Sequence, residues 1–458
     1  MSDGPKVVVL GGGPGGDVAA LRAAQMGAQV TLVERAELGG TCLNWGCIPT
    51  KALLAASDLL RKIREAKEFG ILVGEVGYDF AAMMARKDDI VGRMRGGVAG
   101  ACERKGVAVV KGQGVVDGDA VVVDGTRYEY DHLVVATGTE PAGLPGIDMD
   151  NPAVLTSNDV LVLPEVPQSM IILGAGVIGS EFASLFIPLG TKVTMVEMLD
   201  RMLAGIDKRT AAQFQKILEK EGAEIHLGRR LEEVTSYRDD GITIRLDDGT
   251  ELSAEKLLIS IGRKPQTAGI GLEEAGIVVN DRGFVEVDEF LRTANPKAWA
   301  VGDCIGGMQL AHLASAEGAR AAENALGPHL VPMDRTVVPA CIYTHPEIAT
   351  VGLNRDTAAE AGIKVKVGQA RFAGSGKALA EGEGDGFAQL VADADTDLLL
   401  GATIMGAHAV EMIHEVGVAI SDGYSMRDLG EIIHAHPTVS EMVMDAAQQG
   451  EGVAPYLS

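Results

Sequence analysis

The sequence predicts an α/β fold: two Rossmann-like domains followed by a smaller α+β domain. Three observations carry this. A glycine fingerprint set between two short apolar strands occurs twice, each time with an acid closing the second strand. Glycine is abundant, at 59 residues, as a chain with many tight strand–helix turns requires. From Val337 onward the pattern changes to separated strand-like runs followed by helix-like stretches. A chain of 458 residues is also too long for one core. The expected divisions are residues 1–150, 151–270, 271–338 and 339–458, with the third stretch returning to the first domain.

Lys6-Val7-Val8-Val9-Leu10 reads as a buried parallel strand. Gly11, Gly13 and Gly16 form a G-x-G-x-x-G turn into a helix ending near Met26, and Gln29–Val33 is a second strand closed by Glu34. Such glycines admit a tight turn and let the backbone reach a pyrophosphate at the helix N-terminus, while the acid accepts hydrogen bonds from a ribose. A plain glycine-rich loop is the alternative, and the flanking strand and acid argue against it.

Cys42 and Cys47 come next, within Gly39-Gly40-Thr41-Cys42-Leu43-Asn44-Trp45-Gly46-Cys47-Ile48-Pro49-Thr50-Lys51. Two thiols here can close into a disulfide and reopen, passing two electrons, or they can be ordinary half-buried cysteines. Helices are expected from Pro49 to about Phe69 and from about Phe80 to Lys105. Short strands are expected at Val107–Val110, Ala120–Val123, Tyr128–Tyr130 and His132–Val135. The last runs into Ala136-Thr137-Gly138-Thr139, a small-residue turn that suits a nucleotide or an ordinary loop.

A proline-rich stretch from Pro152 to Pro167 marks a boundary. The opening pattern then repeats: strand Met170–Leu173, glycines Gly174, Gly176 and Gly179, strand Lys192–Val196, and Glu197 at the same interval as Glu34 in the first copy. Two dinucleotide sites in one chain imply electron transfer between two cofactors. A carboxylate at Glu197 repels a 2′-phosphate, so the second site should take NAD rather than NADP. Further strands are expected at Ile242–Leu246, Lys256–Ile261, Phe284–Asp288 and up to Asp303, and a helix over Ala311–Leu326. Asp303 can bond a cofactor polyol or cap a turn. In the last domain, strands are expected at Val365–Phe372, Phe387–Ala392 and Leu398–Met405, with helices at Ala409–Ser421 and Met426–Ile433. His436 and Glu441 suit a base and its orienting carboxylate, or a satisfied surface pair.

The net charge of −24 argues against nucleic acid or an anionic membrane as partner. It serves solubility or the docking of a basic partner domain. Five cysteines form no disulfide framework and point to a reducing compartment. The start at Met1–Lys6 shows no leader pattern and no apolar run spans a bilayer, so cytoplasm is expected, or the matrix of an organelle after processing. No metal-ligand spacing is present, so no metal is expected.

Taken together, these stretches resemble the pyridine nucleotide–disulfide oxidoreductases of the glutathione reductase type. Within that family they most resemble the dihydrolipoamide dehydrogenases, the E3 components of 2-oxoacid dehydrogenase complexes. The motifs are G-G-T-C-L-N-W-G-C-I-P-T-K at 39–51, A-T-G-T at 136–139, G-A-G-V-I-G-S-E at 174–181, A-V-G-D at 300–303, L-A-H at 310–312, Y-T-H-P-E at 343–347 and H-A-H-P-T-V-S-E at 434–441. The resemblance implies FAD on Gly11, Gly13, Gly16 and Glu34, lined also by Gly114, Thr137, Gly138, Asp303, Leu310, Ala311 and His312. It implies NAD on Gly174, Gly176, Gly179, Glu197 and Gly262. It makes Cys47 the flavin-side thiol, Cys42 the substrate-side thiol, Lys51 and Glu181 a pair near the flavin, and His436, oriented by Glu441, the base. That base comes from the other subunit, which implies a homodimer with a C-terminal dimerisation domain. Dihydrolipoamide on lipoyl domains is the implied substrate, and an E2 peripheral-subunit-binding domain an implied partner.

The chain departs from the pattern at Leu313–Gly318, which blurs partner or substrate detail. Rivals are a glutathione- or mercuric-reductase-like enzyme and a non-catalytic docking subunit. Arginines after the second strand, expected for NADP, are replaced by Glu197-Met198-Leu199-Asp200. The end at Val453–Ser458 carries no cysteine pair, and no lipoyl-like segment precedes Val7.

Overall fold

A computed structural model describes residues 4–238 and 240–454. The terminal readings at Met1–Asp3 and Pro455–Ser458 lie outside the described residues.

Apolar runs at Lys6–Leu10 and Ser169–Leu173 each become the central strand of a five-stranded sheet. Both faces of these strands are covered, so they carry no polar alternation: Val8, Val9, Met170 and Ile172 are fully buried. In the first sheet Lys6–Leu10 pairs in parallel with Gln29–Glu34 on one side and His132–Val135 on the other. Ala108–Lys111 and Ala298–Ala300 form its edges. The second sheet repeats this with Lys192–Glu197 and Lys256–Ile259 beside Ser169–Leu173, flanked by Glu224–Leu227 and Val154–Leu155. Strand Ala298–Ala300 thus brings the third stretch of chain back to the first sheet, ahead of helix Ala311–Leu326. Among the described residues no helix is long and apolar enough to cross a membrane.

The third unit is an antiparallel sheet ordered Ala340–Ile342, Ile348–Gly352, Leu399–Met405, Phe387–Asp393, Val365–Arg371. Helices Ala409–Ser421 and Glu441–Gly450 cover it, burying Ile413, Val416, Val443 and Ala447.

The structure differs from two of the sequence expectations and adds one helix to them. Phe284–Asp288 alternates like a strand, yet only Val285 pairs, as an isolated bridge to Val279. The helix expected from Pro49 begins at Cys47 and is preceded by a short helix, Gly40–Trp45. Helix Lys208–Lys220, whose Thr210, Ala211, Phe214 and Leu218 are buried, was not anticipated. Its signal is present in those periodic positions and in Asp207, whose side chain accepts from the Thr210 N–H at 3.0 Å.

The first fingerprint helix, Pro14–Gln25, carries a misplaced charge. Burial pushes the Asp17 carboxyl up to about 7, against an opposing hydrogen bond from the Val18 backbone, and its Oδ1 is buried without a partner. A raised carboxyl means that the folded protein keeps a proton which the unfolded chain has released. Stability should therefore fall as pH climbs from about 4 to about 7. Asp17→Asn removes that loss. Thermal unfolding should show the variant more stable at pH 8, by roughly 1–3 kcal/mol, and no better at pH 4; a gain equal at both pH values would refute this account.

Candidate active site

The two fingerprint loops face one cavity of about 2,040 Å³. A single small-molecule site seldom exceeds about 1,000 Å³, so this space suits two large cofactors. Gly11 and Gly174 sit at φ +107° and +95°, where a Cβ would meet the Ala136 and Ser260 carbonyl oxygens at 2.3 and 2.5 Å. Behind them Gly16 and Gly179 approach the Gly11 and Gly174 carbonyl oxygens so closely that a Cβ would stand 1.8 and 2.1 Å away. The middle glycines differ: a Cβ on Gly176 would meet nothing within 4 Å, and one on Gly13 only the Gly40 Cα at 3.8 Å. Space is thus left where a pyrophosphate would approach the loop.

The two acids are held alike. Glu34 accepts from the Gly12 and Ala36 N–H groups, both at 2.7 Å. Glu197 accepts from Ala175 at 2.8 Å and Leu199 at 2.9 Å. These residues fit two dinucleotides, each with its ribose end at a fixed carboxylate.

The cysteines enter this cavity through a break between helices. Gly39 adopts φ +88° to start helix Gly40–Trp45, and Gly46 interrupts it before helix Cys47–Glu65. Asn44 anchors the turn, donating to the Leu38 and Gly40 carbonyls at 3.0 and 2.9 Å and accepting from Arg95 Nε at 3.0 Å. Cys42 and Cys47 are free thiols hydrogen-bonded to one another. Their acidities separate. The Cys42 hydrogen bond, with help from Lys51 and against burial and Glu181, brings Cys47 down to about 7. That bond and burial push Cys42 up, so it stays a thiol. Cys47 is also the first residue of a long helix, where the dipole favours an anion.

Lys51, one turn below Cys47, places Nζ 2.9 Å from both carboxylate oxygens of buried Glu181 on helix Val177–Phe186. Ser57 Oγ donates to the Leu185 carbonyl at 2.9 Å and ties the same two helices. On the first cofactor's side, Asp303 lies in a tight turn after strand Ala298–Ala300 and accepts from Thr139 Oγ1 at 2.8 Å. Arg263 Nε donates to the same Thr139 Oγ1 at 2.7 Å. Gly114, Thr137, Gly138, Gly262, Leu310, Ala311 and His312 also line the cavity, and His312 donates from Nε2 to the Pro339 carbonyl at 2.8 Å.

Gly16 and Gly179 stand behind the loops, outside the lining. His436 and Glu441 are also outside it. His436 Nδ1 lies 2.9 Å from Glu441 Oε1, and its side chain is 80% exposed. Burial pushes the Glu441 carboxyl up, but the Thr438 N–H and His436 outweigh it and hold it below the usual range.

Arg263, Thr139 and Tyr343 were given no role in the sequence. Thr139 ends the A-T-G-T turn and Tyr343 opens the Y-T-H-P-E stretch, but nothing local gives their side chains partners, and Arg263 lies just past the strand expected to end at Ile261 with nothing to mark it. At the departure Leu313–Gly318, buried Glu317 accepts from the Gly302 N–H at 2.8 Å and from Arg335 at 2.8 and 2.9 Å. It therefore supports the turn that carries Asp303.

A paired-thiol site between two dinucleotide folds defines a flavin- and pyridine-nucleotide-dependent disulfide oxidoreductase. The family profile described as pyridine nucleotide-disulphide oxidoreductase matches residues 5–318, and its dimerisation domain matches residues 338–447. The chain belongs to this family, which uses FAD and NAD(H). It is 42% identical to a dihydrolipoyl dehydrogenase of Bacillus subtilis, over 98% of each chain. It is 41% identical to one of Halobacterium salinarum, over 99% of this chain and 98% of that one. Among solved structures it resembles LpdA of Mycobacterium tuberculosis, with a TM-score of 0.89 at 27% identity, covering 97% and 99% of the two chains. It also resembles the HOCl-induced flavoprotein disulfide reductase RclA of Escherichia coli, with a TM-score of 0.88 at 29% identity, again over 97% and 99%.

The split acidity can be read directly. In the reduced protein, alkylation of Cys47 by iodoacetamide should rise through about pH 7, while Cys42 reacts only at much higher pH, as read from peptide fragment masses. Lys51→Met removes the nearby cation and should move the Cys47 midpoint up by about one unit.

Proposed function

We propose that the chain is a dihydrolipoyl dehydrogenase that passes two electrons from protein-bound dihydrolipoyl groups to NAD⁺, through Cys42 and Cys47. The observation that carries this is the pair of thiols, Cys42 and Cys47, sharing one cavity with two dinucleotide loops and the Lys51–Glu181 pair. The relatives named dihydrolipoyl dehydrogenase support the choice of substrate.

His436 of the partner subunit takes the proton from a substrate thiol, because only the thiolate attacks a disulfide. In the oxidised protein, where Cys42 and Cys47 are joined as a disulfide, the thiolate attacks Cys42 Sγ, the Cys42–Cys47 bond breaks, and Cys47 leaves as a thiolate beside Lys51. The second substrate thiol, deprotonated in turn, attacks the substrate sulfur of the mixed disulfide and releases Cys42. The substrate is oxidised by two electrons and the protein pair is reduced. Bound FAD and NAD⁺ supply the acceptor that carries those electrons on as a hydride equivalent.

Gly11, Gly13, Gly16, Glu34, Gly114, Thr137, Gly138, Asp303, Leu310, Ala311 and His312 would hold FAD. Gly174, Gly176, Gly179, Glu197 and Gly262 would hold NAD. Glu197 favours a free 2′-hydroxyl. Within one chain His436 stays outside the cavity, which supports a homodimer whose sites are completed across subunits. An acidic surface suits a basic E2 peripheral-subunit-binding domain, and five free cysteines suit the cytoplasm.

The test is reduction of NAD⁺ by dihydrolipoamide with the purified yellow protein. Cys47→Ser should abolish turnover, and His436→Gln should lower it by about 100-fold or more. Turnover of glutathione disulfide with NADPH alone would overturn the reading.

A further inference from the structure

Among the C-terminal-domain residues that line the cavity, Tyr343 lies against Lys51. Tyr343 directly follows strand Ala340–Ile342. Its backbone N–H donates to Glu181 Oε1 at 3.1 Å. Its ring lies against Lys51, with Nζ 4.4 Å from the centroid. Two residues on, the His345 N–H donates to Ser184 Oγ at 3.0 Å. The segment is therefore pinned twice to helix Val177–Phe186, the helix that carries Glu181.

The geometry around Lys51 is then fully specified. An ammonium has three donors, and two of its contacts are the carboxylate oxygens of Glu181. The ring face meets the remaining positive surface, where the aromatic quadrupole attracts a cation. Burial pushes the Tyr343 phenol up to about 12, so the ring is uncharged in the working range. Lys51 otherwise sits on a flexible four-carbon stem and is 29% exposed. Without the ring, water would take that side and the ammonium would be free to swing about the carboxylate.

We propose that Tyr343 is a positioning residue for the dithiol: its ring fixes Lys51 and its N–H fixes Glu181, so that the C-terminal domain sets where the cation stands relative to Cys47. This rests on the redox reading of Cys42 and Cys47 given above. The groups that act on Cys47 are Cys42, Lys51 and Glu181, with Arg263 and Tyr343 feeling its charge from strand Arg263–Pro265 and the C-terminal domain. Of these, Lys51 is the one that the Tyr343 side chain touches, whereas Glu181 is held by the Tyr343 backbone N–H, which a side-chain substitution leaves in place.

The experiment is the pH midpoint of Cys47 alkylation in reduced holoenzyme, with peptide fragment masses as readout. Three changes are compared: Tyr343→Phe, Tyr343→Leu, and trifluorophenylalanine placed at the same position. Phenylalanine keeps the ring face and should titrate like the parent. Leucine removes the face, and the fluorinated ring keeps the shape while losing its negative face. Both should move the midpoint upward by about half a unit. The fluorinated variant carries the test even if the leucine variant folds poorly. The proposal is overturned if the fluorinated protein titrates with the parent, or if phenylalanine shifts as far as leucine. Turnover of dihydrolipoamide with NAD⁺ is measured alongside. An inactive parent protein would sink the substrate reading alone, whereas an unshifted midpoint in active protein would sink the role of Tyr343 alone.

Discussion

The ion pair between Lys51 and Glu181 is the interaction on which the arrangement of this molecule turns. Its partners are 130 residues apart in the chain, on helices from the first and second Rossmann-like units. A buried ion pair is weak evidence for stability, because desolvating both charges offsets much of their attraction. Its value here is placement. Glu181 neutralises the lysine, so the cation can stand in a partly dry site. Cys42 and then Lys51 draw Cys47 toward the thiolate while burial and then Glu181 oppose them, so the thiol is poised near neutrality. The same carboxylate accepts from Tyr343, and so three parts of the chain meet at one group.

Duplication explains the rest of the cavity. Glu34 and Glu197 each accept from the amide of their own loop and from the amide two residues beyond themselves. Past the acid the two units diverge. After Glu34 the chain folds straight back: the Gly39 N–H donates to the Gly12 carbonyl at 2.7 Å, and a Cβ on Gly40 would stand 2.6 Å from the Gly13 Cα. This close approach carries the cysteines directly onto the first loop. After Glu197 the chain also touches its own loop, the Leu203 N–H donating to the Ala175 carbonyl at 2.9 Å, but it brings no cysteine there and goes on into the covering helix Lys208–Lys220. Two equal folds therefore present one loop flanked by thiols and one that is not.

What was legible in the residues was local. The two βαβ units read clearly because each is contiguous and its strands are covered on both faces, leaving unbroken apolar runs. His436 and Glu441 read as a pair because they are five residues apart. The Lys51–Glu181 pairing came only with the family resemblance, since no local pattern links residues so distant. Arg263, Thr139 and Tyr343 were illegible for the same reason: each gains its role from a contact made by folding. Phe284–Asp288 misled because alternation marks a strand only where a neighbouring strand is there to pair. Helix Lys208–Lys220 carries a local signal of its own, a periodic apolar face and the Asp207 cap.

The separation of the two thiols also bears on the reading of His436 proposed above. Cys42 is held protonated by its bond to Cys47 and by burial, with only Lys51 and the Cys47 backbone N–H working against this. Inside the cavity no carboxylate or imidazole is directed at it by any described hydrogen bond. His436 has what the task requires: Nδ1 is held by Glu441, which leaves Nε2 as the free nitrogen, and the ring stands exposed. An aligned imidazole left in solvent at the edge of a dimerisation domain does nothing for that domain's core. Its exposure and its alignment by Glu441 leave the ring able to meet a group outside its own domain's core.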